Sequence, residues 1–170
     1  AGIIDSGHDI TYTEFSYSLP RHELFPLKRY LLPHGKRFPF SIVITNFGCP
    51  FKCRFCIANT LGYKYRNVDN TIEELKYIQS LGIKEVYFED FTFEANRKNT
   101  YALCRRMIED NLDISWVCSS RVNTVDRPLL EIMKRAGCHT IMFGVESGDD
   151  EILSRYAKGI TTEQIEQTVQ

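Results

Sequence analysis

The sequence predicts an α/β fold with parallel strands, and three observations support this prediction. Short runs of β-branched and aromatic residues alternate four times with longer segments of helical periodicity. Each strand-helix unit takes roughly 25–45 residues, enough for a crossover connection between parallel strands. Polar side chains follow directly after each apolar run. Parallel strands joined by right-handed crossovers form either a barrel or a doubly wound sheet.

The composition is that of a folded domain without extreme charge. Apolar residues make up 43% of the chain and charged residues 25%, so a core of ordinary size can form. The net charge of -1 argues against a nucleic-acid-binding surface that depends on bulk positive charge. No run of 18 apolar residues occurs, so no membrane-spanning helix is predicted and a cytoplasmic location is the default expectation.

Residues 1–40 differ from the rest and predict a β-hairpin followed by an extended linker. Residues 5–9, Asp-Ser-Gly-His-Asp, are typical of a turn, and apolar and polar residues alternate around them up to residue 16. Residues 17–40, here called the strap, contain four prolines that exclude a long helix. His8, His22 and His34 lack the spacing of metal ligands and are expected to be surface or turn residues. Residues 41–170 form the predicted core domain.

The strands and helices of this core domain have recognisable signals. Strands are predicted at residues 41–45, 85–88, 114–118 and 140–145. Five helices are predicted. The first begins at a capping box at residues 71–74, and the second runs from about 97 to 110. The other three begin at Asp126 with Pro128 in the first turn, at Asp149 and Asp150, and at Thr161 or Thr162. Gly82 and Gly137 are the expected stops of the first and third helices.

Polar residues occupy the carboxyl end of every predicted strand. They are the cysteines after the first strand, Glu89 and Asp90 after the second, Ser119, Ser120 and Arg121 after the third, and Glu146 and Ser147 after the fourth. In a barrel, this end of the strands is where active sites are built. The pattern therefore predicts one pocket to which four strand ends contribute.

Three cysteines lie within eight residues after the first predicted strand. Cys49, Cys53 and Cys56 have the spacing C-x3-C-x2-C, and no fourth cysteine is near them. A cubane of four irons and four sulfides ordinarily takes four thiolates. Three ligands leave one iron with an open position, the feature that separates catalytic from closed structural metal sites. The spacing therefore favours an iron-sulfur cluster with one open iron.

Other uses of the cysteines are less well supported by the sequence. Structural zinc usually takes two separated ligand pairs, and no second pair is present. Cys104, Cys118 and Cys138 are scattered in apolar contexts, where Cys118 and Cys138 are expected to be small buried residues. Disulfides are not expected, because nothing resembles a signal peptide and six cysteines in 170 residues are fewer than a small secreted scaffold carries.

The cysteine spacing, with an aromatic residue directly before the third cysteine, resembles the signature of the radical S-adenosylmethionine (radical SAM) enzymes. The resemblance covers residues 41–170 and implies that Cys49, Cys53 and Cys56 hold a 4Fe–4S cluster and that Phe55 packs near the adenine of SAM. In this family the open iron chelates the amino and carboxylate groups of SAM, and an electron from the cluster yields a 5′-deoxyadenosyl radical.

The resemblance also implies roles for residues at the other strand ends. Glu89 and Asp90 lie where the methionine amino group is received, although the two glycines usual there are absent. Arg121 lies where a basic residue reaches the SAM carboxylate, and Glu146 and Ser147 where the ribose hydroxyls or methionine are contacted. Purely structural roles stay open. Arg121 could pair with Glu146, and Glu89 or Asp90 could orient a loop or cap a helix.

Further segments resemble the branch with an amino-terminal cobalamin-binding domain, which includes radical methyltransferases and anaerobic magnesium-protoporphyrin monomethyl ester cyclase-like proteins. They are residues 19–30, 48–50, 116–121, 144–148 and 158–159. The resemblance implies a partial TIM-type (β/α) barrel, with four of the expected six strand-helix units in this chain. It also implies that cobalamin is held, if used, by a domain outside these residues, and that a flavodoxin or ferredoxin supplies electrons.

Three functional hypotheses follow. The first is a radical SAM enzyme core, inactive as an isolated piece, acting on a small molecule that the sequence does not identify. The second is an iron-sulfur electron-transfer module without SAM chemistry, which needs no pocket and is opposed by the convergence of Glu89, Asp90, Arg121 and Glu146. The third is a zinc-stabilised binding domain. In all three, the fourth strand has an unpaired edge, which predicts self-association or coverage by the last helix.

Overall fold

Two sheets and five helices make up the computed structural model, which describes residues 13–170 except for the side chain of Asn59. The strands are β1 Thr13–Phe15, β2 Phe40–Val43, β3 Asn46–Gly48, β4 Tyr63–Arg66, β5 Glu85–Phe88, β6 Ser115–Ser120 and β7 Cys138–Phe143. The helices are α1 Val68–Ser80, α2 Arg97–Glu109, α3 Arg127–Arg135, α4 Asp150–Arg155 and α5 Thr162–Val169. Short 3-10 turns lie at His22–Leu24, Leu27–Arg29, Ile57–Thr60 and Phe93–Ala95.

The main sheet has the order β2-β5-β6-β7, and all its neighbours are parallel. This confirms the predicted parallel α/β architecture. Helices α1, α2 and α3 cover one face, where Val43, Phe88 and Trp116 belong to the buried core. The opposite face, here called the inner face, carries Ile42 and Tyr87 in register with each other.

An aromatic cluster lies at the centre of the core. The ring centroids of Phe88, Phe93 and Trp116 lie 4.9–5.1 Å apart, and Trp116 Nε1 donates to the Ala136 carbonyl at 2.9 Å. Gly137 ends the α3 segment at φ +103, and a Cβ there would lie 2.1 Å from the Ile114 carbonyl oxygen. Only glycine permits this close approach of the chain to the start of β6.

Several predicted element boundaries need correction. Helix α1 begins at Val68 with Asn67 as its cap, so the capping box predicted at 71–74 is wrong. The Asn67 side chain accepts from the Asn70 amide, and Thr71 is buried inside the helix. Strands β2 and β6 end at Val43 and Ser120 rather than at the predicted 45 and 118, so Ser119 and Ser120 lie within β6 and not after it. Strand β7 begins and ends two residues earlier than predicted, and a bulge between Trp116 and Val117 shifts its register against β6.

The remaining helix signals agree with the structure. Asp126 caps α3 through the Leu129 amide with Pro128 in the first turn, and Asp149 caps α4. Thr161 and Gln164 form a capping box at the start of α5. Within the described residues no helix combines the length and apolar character that a membrane crossing requires.

The small second sheet connects the amino-terminal segment to the cysteine segment. Its order is β1-β4-β3, with β1 parallel and β3 antiparallel to β4. The hairpin predicted for residues 1–16 lies outside the described residues except for β1 and the residue after it.

A buried polar network, here called the strap network, ties the strap to β2, β4 and α1. It consists of Tyr17, His22, Ser41, Arg66 and Glu74. His22 Nε2 lies 2.8 Å from Glu74 Oε1, and His22 Nδ1 lies 2.8 Å from Ser41 Oγ. His22 begins the 3-10 turn His22–Leu24, as a turn residue was expected to, but its side chain is buried rather than at the surface, because Glu74 and Ser41 supply its partners. His34 is exposed, as expected, and His8 lies outside the described residues.

Candidate active site

The cysteine segment after β3, the segment after β5 and the carboxyl ends of β6 and β7 meet around a cavity of about 320 Å³, here called the cysteine cavity. Among the predicted site residues, its lining includes Cys49, Cys53, Phe55, Cys56, Arg121 and Glu146. Phe91, Thr92, Ser119 and Lys158 also line it. The structure therefore brings all three cysteines together with residues from the ends of the other strands.

The cysteine segment is held by backbone contacts on both sides. Gly48 precedes it with φ +70, and a Cβ there would lie 1.7 Å from the Gly62 carbonyl oxygen, so only glycine fits. The Arg54 amide donates to the Tyr156 carbonyl at 2.9 Å, which joins the segment to the end of α4. Cys53 is buried, whereas Cys49 and Cys56 are partly exposed towards the cavity.

Asp90 supports the chain just before the cysteines. Its Oδ1 accepts from the Thr45 and Asn46 amides at 2.9 and 2.7 Å, and its Oδ2 accepts from the Thr45 hydroxyl at 2.6 Å. Burial raises the pKa of Asp90 to about 6, although these hydrogen bonds act in the opposite direction. Both carboxylate oxygens thus bind the chain between β2 and β3. This agrees with the alternative in which Asp90 orients a loop.

Glu89 is not brought together with the other predicted residues. Its side chain is exposed and does not line the cysteine cavity. Its neighbour along the same face is Tyr87, whose pKa is raised by burial and additionally by the Glu89 carboxylate. Glu89 therefore lies on the inner face of the sheet, outside the cavity.

Arg121 is buried in the cavity wall without a carboxylate partner. Its Nη1 lies 3.2 Å from Cys53 Sγ, its Nη2 donates to the Lys158 carbonyl, and its Nε donates to Asn123 Oδ1 at 3.2 Å. The guanidinium carbon lies 4.1 Å from the centroid of the Phe51 ring. Arg121 forms no ion pair within residues 13–170, so the alternative in which it pairs with Glu146 is wrong.

Lys158 takes the place of Arg121 as the partner of Glu146. The Lys158 Nζ lies 2.9 Å from Glu146 Oε1, and the lysine is only 6% exposed although it lines the cavity. The backbone of Glu146 has φ +67, a conformation that is uncommon for this residue type and directs its carboxylate towards Lys158. Ser147 does not line the cavity, and its hydroxyl accepts from the Asp149 amide at 3.1 Å.

Phe55 lies between the cysteines and the end of α4. Its ring packs edge-on against Tyr156 at 5.4 Å and lies 5.7 Å from Lys158 Nζ, while 52% of the residue remains exposed. A flat ligand in the cavity could therefore cover the open part of this ring.

Glu94 is a buried carboxylate that the sequence analysis missed. Its Oε2 accepts from Ser120 Oγ at 2.5 Å, and its Oε1 lies 3.9 Å from Cys118 Sγ. Ser120 also lines the cysteine cavity, so Glu94 lies directly behind its wall. Burial raises the pKa of Glu94 to about 7, with a smaller contribution from the Asp90 charge.

The donor set fits a cluster with one open iron. The cavity lining contributes three thiols and no histidine or fourth cysteine. Within residues 13–170 no three such side chains converge on a point where a single metal ion would bind. A cubane does not need that convergence, because each thiolate binds a different iron. Arg121 supplies an unpaired positive charge beside Cys53, whereas the charge of Lys158 is paired with Glu146.

A larger cavity of about 670 Å³ lies elsewhere, between the strap and β2. Its lining is mainly apolar, and its polar members Tyr17, His22, Ser41 and Glu74 belong to the strap network. Those polar groups already form hydrogen bonds with one another and are not free to act on a ligand. The cysteine cavity is therefore the stronger candidate active site, although it is smaller.

Known proteins provide independent evidence on this site. The family model described as the Radical SAM superfamily matches residues 43–170. An uncharacterized methyltransferase from Pyrococcus horikoshii is 41% identical over 150 residues, which are 86% of this chain and 32% of that protein. The anaerobic magnesium-protoporphyrin IX monomethyl ester cyclase of Synechocystis is 25% identical, over 82% of this chain and 29% of that protein.

A solved structure agrees with the fold. The radical S-adenosylmethionine methyltransferase TsrM from Kitasatospora setae, determined with cobalamin and a [4Fe–4S] cluster, superposes with a TM-score of 0.71. It is 19% identical, and the match covers 76% of this chain and 28% of TsrM. The chain thus spans about a third or less of the length of these relatives.

Proposed function

Because this chain belongs to the radical SAM superfamily, we propose that its cysteine cavity is the site of SAM cleavage. Cys49, Cys53 and Cys56 are the residues that would hold the 4Fe–4S cluster, and SAM would bind at the iron without a thiolate. When bound, the cluster supplies the electron that splits the SAM sulfonium and yields a 5′-deoxyadenosyl radical. The family implies both cofactors, and the three thiols in one cavity fit them.

The observation that carries the proposal is the unpaired guanidinium of Arg121 beside Cys53. A buried charge without a partner is costly, and proteins ordinarily pair it or use it. A bound cluster with thiolate ligands and the SAM carboxylate would both place negative charge next to Arg121. In an electron-transfer module the thiolates alone would face Arg121, so it is the open cavity beside this cation that favours SAM.

Other residues of the cavity are proposed to orient SAM. Phe55 would pack against the adenine with the exposed part of its ring. The Lys158–Glu146 pair offers a carboxylate to the ribose hydroxyls and an ammonium to the methionine carboxylate. The methionine amino group would be received by the backbone at Phe91 and Thr92, which line the cavity, rather than by the Glu89 side chain.

Asp90 and Ser147 are proposed to support the site without contacting SAM. Asp90 holds the loop before the cysteines, and Ser147 holds the turn that presents Glu146. Both roles follow from oxygens that already accept backbone hydrogen bonds.

The activity of the longer protein is proposed from its relatives. The Pyrococcus horikoshii relative is named a methyltransferase and TsrM was determined with cobalamin, so we propose methyl transfer supported by cobalamin bound outside residues 1–170. A cytoplasmic location and a reducing protein such as flavodoxin or ferredoxin are part of this proposal. Self-association through the half-buried strand β7 is proposed as well and would appear as a dimer in light scattering.

Iron content tests the ligand assignment. The anaerobically reconstituted chain should bind about four irons, and Cys49→Ala, Cys53→Ala or Cys56→Ala should each remove most of the iron and the brown colour. Cys104→Ala is the matched control, because Cys104 is buried in the core and should leave iron content unchanged. Equal iron loss in the Cys104 variant would show that the three-ligand assignment is incorrect.

A further inference from the structure

The cysteine segment forms one wall of the cysteine cavity and is closed at its base. It covers residues 49–62 and joins the antiparallel strands β3 and β4. At the base Gly48 pairs with Tyr63 and lies against the Gly62 carbonyl. Because the two ends of the segment meet there, the exposed side chains of residues 47–64 that do not line the cavity belong to one compact region, here called the outer surface.

The cysteines lie directly behind this outer surface. Cys53 is buried and lines the cavity, whereas Lys52 and Arg54 on either side of it are exposed and do not line the cavity. Cys56 also lines the cavity, and Ile57 next to it is 70% exposed. Since electron transfer slows steeply with distance, the outer surface offers a short route to a cluster held by these cysteines.

The charge of the outer surface is positive. Lys52, Arg54 and Lys64 are exposed, and no Asp or Glu occurs between residues 47 and 64, although the whole chain has a net charge of -1. None of the three forms an ion pair within residues 13–170. The Arg54 guanidinium donates to the Arg155 carbonyl at 3.1 Å, which leaves its charge unpaired.

Apolar side chains lie among these cations. Besides Ile57, Phe47 and Leu61 are 48% and 41% exposed, and Phe47 lies directly opposite Lys64 in the β3-β4 pairing. Exposed apolar groups with a charged rim are typical of a surface that contacts another protein. A nucleic acid is bound mainly through contacts of many cations with phosphates, which these three cations support less well.

We infer that the outer surface docks a protein that donates electrons and whose contact face is acidic around an apolar centre. Opposite charges would steer the two proteins together and set their orientation. In the complex one electron passes from the redox group of the donor to the cluster, so the donor is oxidised and the cluster is reduced by one electron each. The inference rests on the proposed function, since it assigns the surface at which the reductant of the same site binds.

Binding to the iron-free chain tests the surface without any catalytic turnover. An acidic flavodoxin and a basic cytochrome c are each titrated anaerobically into the 170-residue chain while the amide signals of Lys52 and Ile57 are followed by NMR. Flavodoxin should shift these signals, and its dissociation constant should rise about tenfold between about 0.05 and 0.5 M salt, because exposed charges are screened. Cytochrome c should bind more weakly. Equal binding of the two proteins, no shift at Lys52 and Ile57, or tighter binding of a short RNA at these residues would overturn the inference.

Charge-reversal variants locate the contact. Lys52→Glu and Lys64→Glu should each weaken flavodoxin binding about fivefold, through lost attraction and added repulsion. Lys98→Glu is the matched control, because Lys98 is exposed on α2 and its replacement changes the net charge equally. Equal weakening in all three variants would show that only net charge matters and would contradict the inference.

Reduction of the reconstituted cluster separates docking from cluster integrity. The Lys52 and Lys64 variants should be reduced more slowly than the wild type by reduced flavodoxin, but at the wild-type rate by the small reductant dithionite. Equal rates with flavodoxin would contradict the inference. If SAM perturbs the signal of the dithionite-reduced cluster while flavodoxin does not bind the outer surface, the docking assignment fails and the proposed function stands. If flavodoxin binds as expected but SAM leaves that signal unchanged, the proposed function fails instead.

Discussion

Two buried arginines show how structural and functional charge differ in this fold. Arg66 is fully buried and forms an ion pair with Glu74, which also bonds His22. Burial alone would raise the pKa of Glu74, but the hydrogen bond from His22 and the Arg66 charge hold it below its usual value. Arg121 is nearly as buried but contacts a thiol, a carbonyl, an amide oxygen and a ring.

The difference is that Arg66 is already neutralised by the fold, whereas Arg121 is not. The strap network is complete within the described residues and fastens the strap to the sheet. The cysteine cavity leaves a cation beside three thiols, and its charge becomes balanced when an anionic ligand binds. In this fold the fully buried Arg66–Glu74 ion pair serves the architecture, and the unpaired Arg121 in the cavity indicates a binding site.

The largest expected effect comes from the same substitution at both arginines. Arg66→Gln leaves the Glu74 carboxylate buried without its cation and should destabilise the iron-free chain by about 3–5 kcal/mol. Arg121→Gln removes an unpaired charge and should change the free energy of unfolding by less than about 1 kcal/mol. Urea denaturation measures both. Equal losses would contradict the distinction between the two arginines.

Glu94 should make stability depend on pH in the opposite sense to a salt-bridged carboxylate. Burial raises its pKa from 4.5 to about 7, so the folded chain binds more protons than the unfolded chain between these values. Its contribution to stability therefore falls as the pH rises from 4.5 to 7, by at most about 3 kcal/mol.

Comparing two variants isolates this contribution. Glu94→Gln should gain stability relative to the wild type at pH 8, and the gain should shrink towards pH 4.5 as the wild-type carboxyl becomes protonated. Glu109→Gln, at the exposed end of α2, is the control with no such trend. A gain of the same size at both pH values would show that Glu94 does not titrate in this range.

Arg121 should affect ligand binding more than stability. In reconstituted protein, Arg121→Gln should raise the dissociation constant of SAM about tenfold or more, the effect of losing a charged hydrogen bond. Arg54→Gln is the matched control, because Arg54 lies on the exposed side of the cysteine segment. Iron content should be unchanged in both variants. An unaltered SAM affinity in Arg121→Gln would remove the main support for its assigned role.

The sequence was informative where the signal is local. The Asp126 cap with Pro128 and the stop at Gly137 depend on neighbouring residues, and the structure shows α3 where it was predicted. The three closely spaced cysteines likewise lie in one cavity. The ends of the strands were predicted less accurately, because they depend on how neighbouring strands pair. The bulge between Trp116 and Val117, for example, appears only when β6 pairs with β7.

Residues brought together over long distances could not be assigned in this way. His22 is buried against Glu74, which lies 52 positions later in the sequence. Lys158 reaches the cavity because the Arg54 amide binds the carbonyl at the end of α4 and so holds this end against the cysteine segment. The one available signal for Lys158 was its place in the Lys-Gly pair at 158–159, which resembled the cobalamin branch. No local pattern marked Glu94, because its partner Ser120 comes from strand β6, 26 residues later.

The central claim is that the cysteine cavity leaves one iron open for SAM. The most direct test is the electron paramagnetic resonance spectrum of the reduced cluster, recorded with and without saturating SAM on anaerobically reconstituted protein. Amino and carboxylate groups binding the open iron should change the spectrum, and the change should weaken in Arg121→Gln at limiting SAM. An unchanged spectrum at saturating SAM would contradict the claim and favour an electron-transfer module.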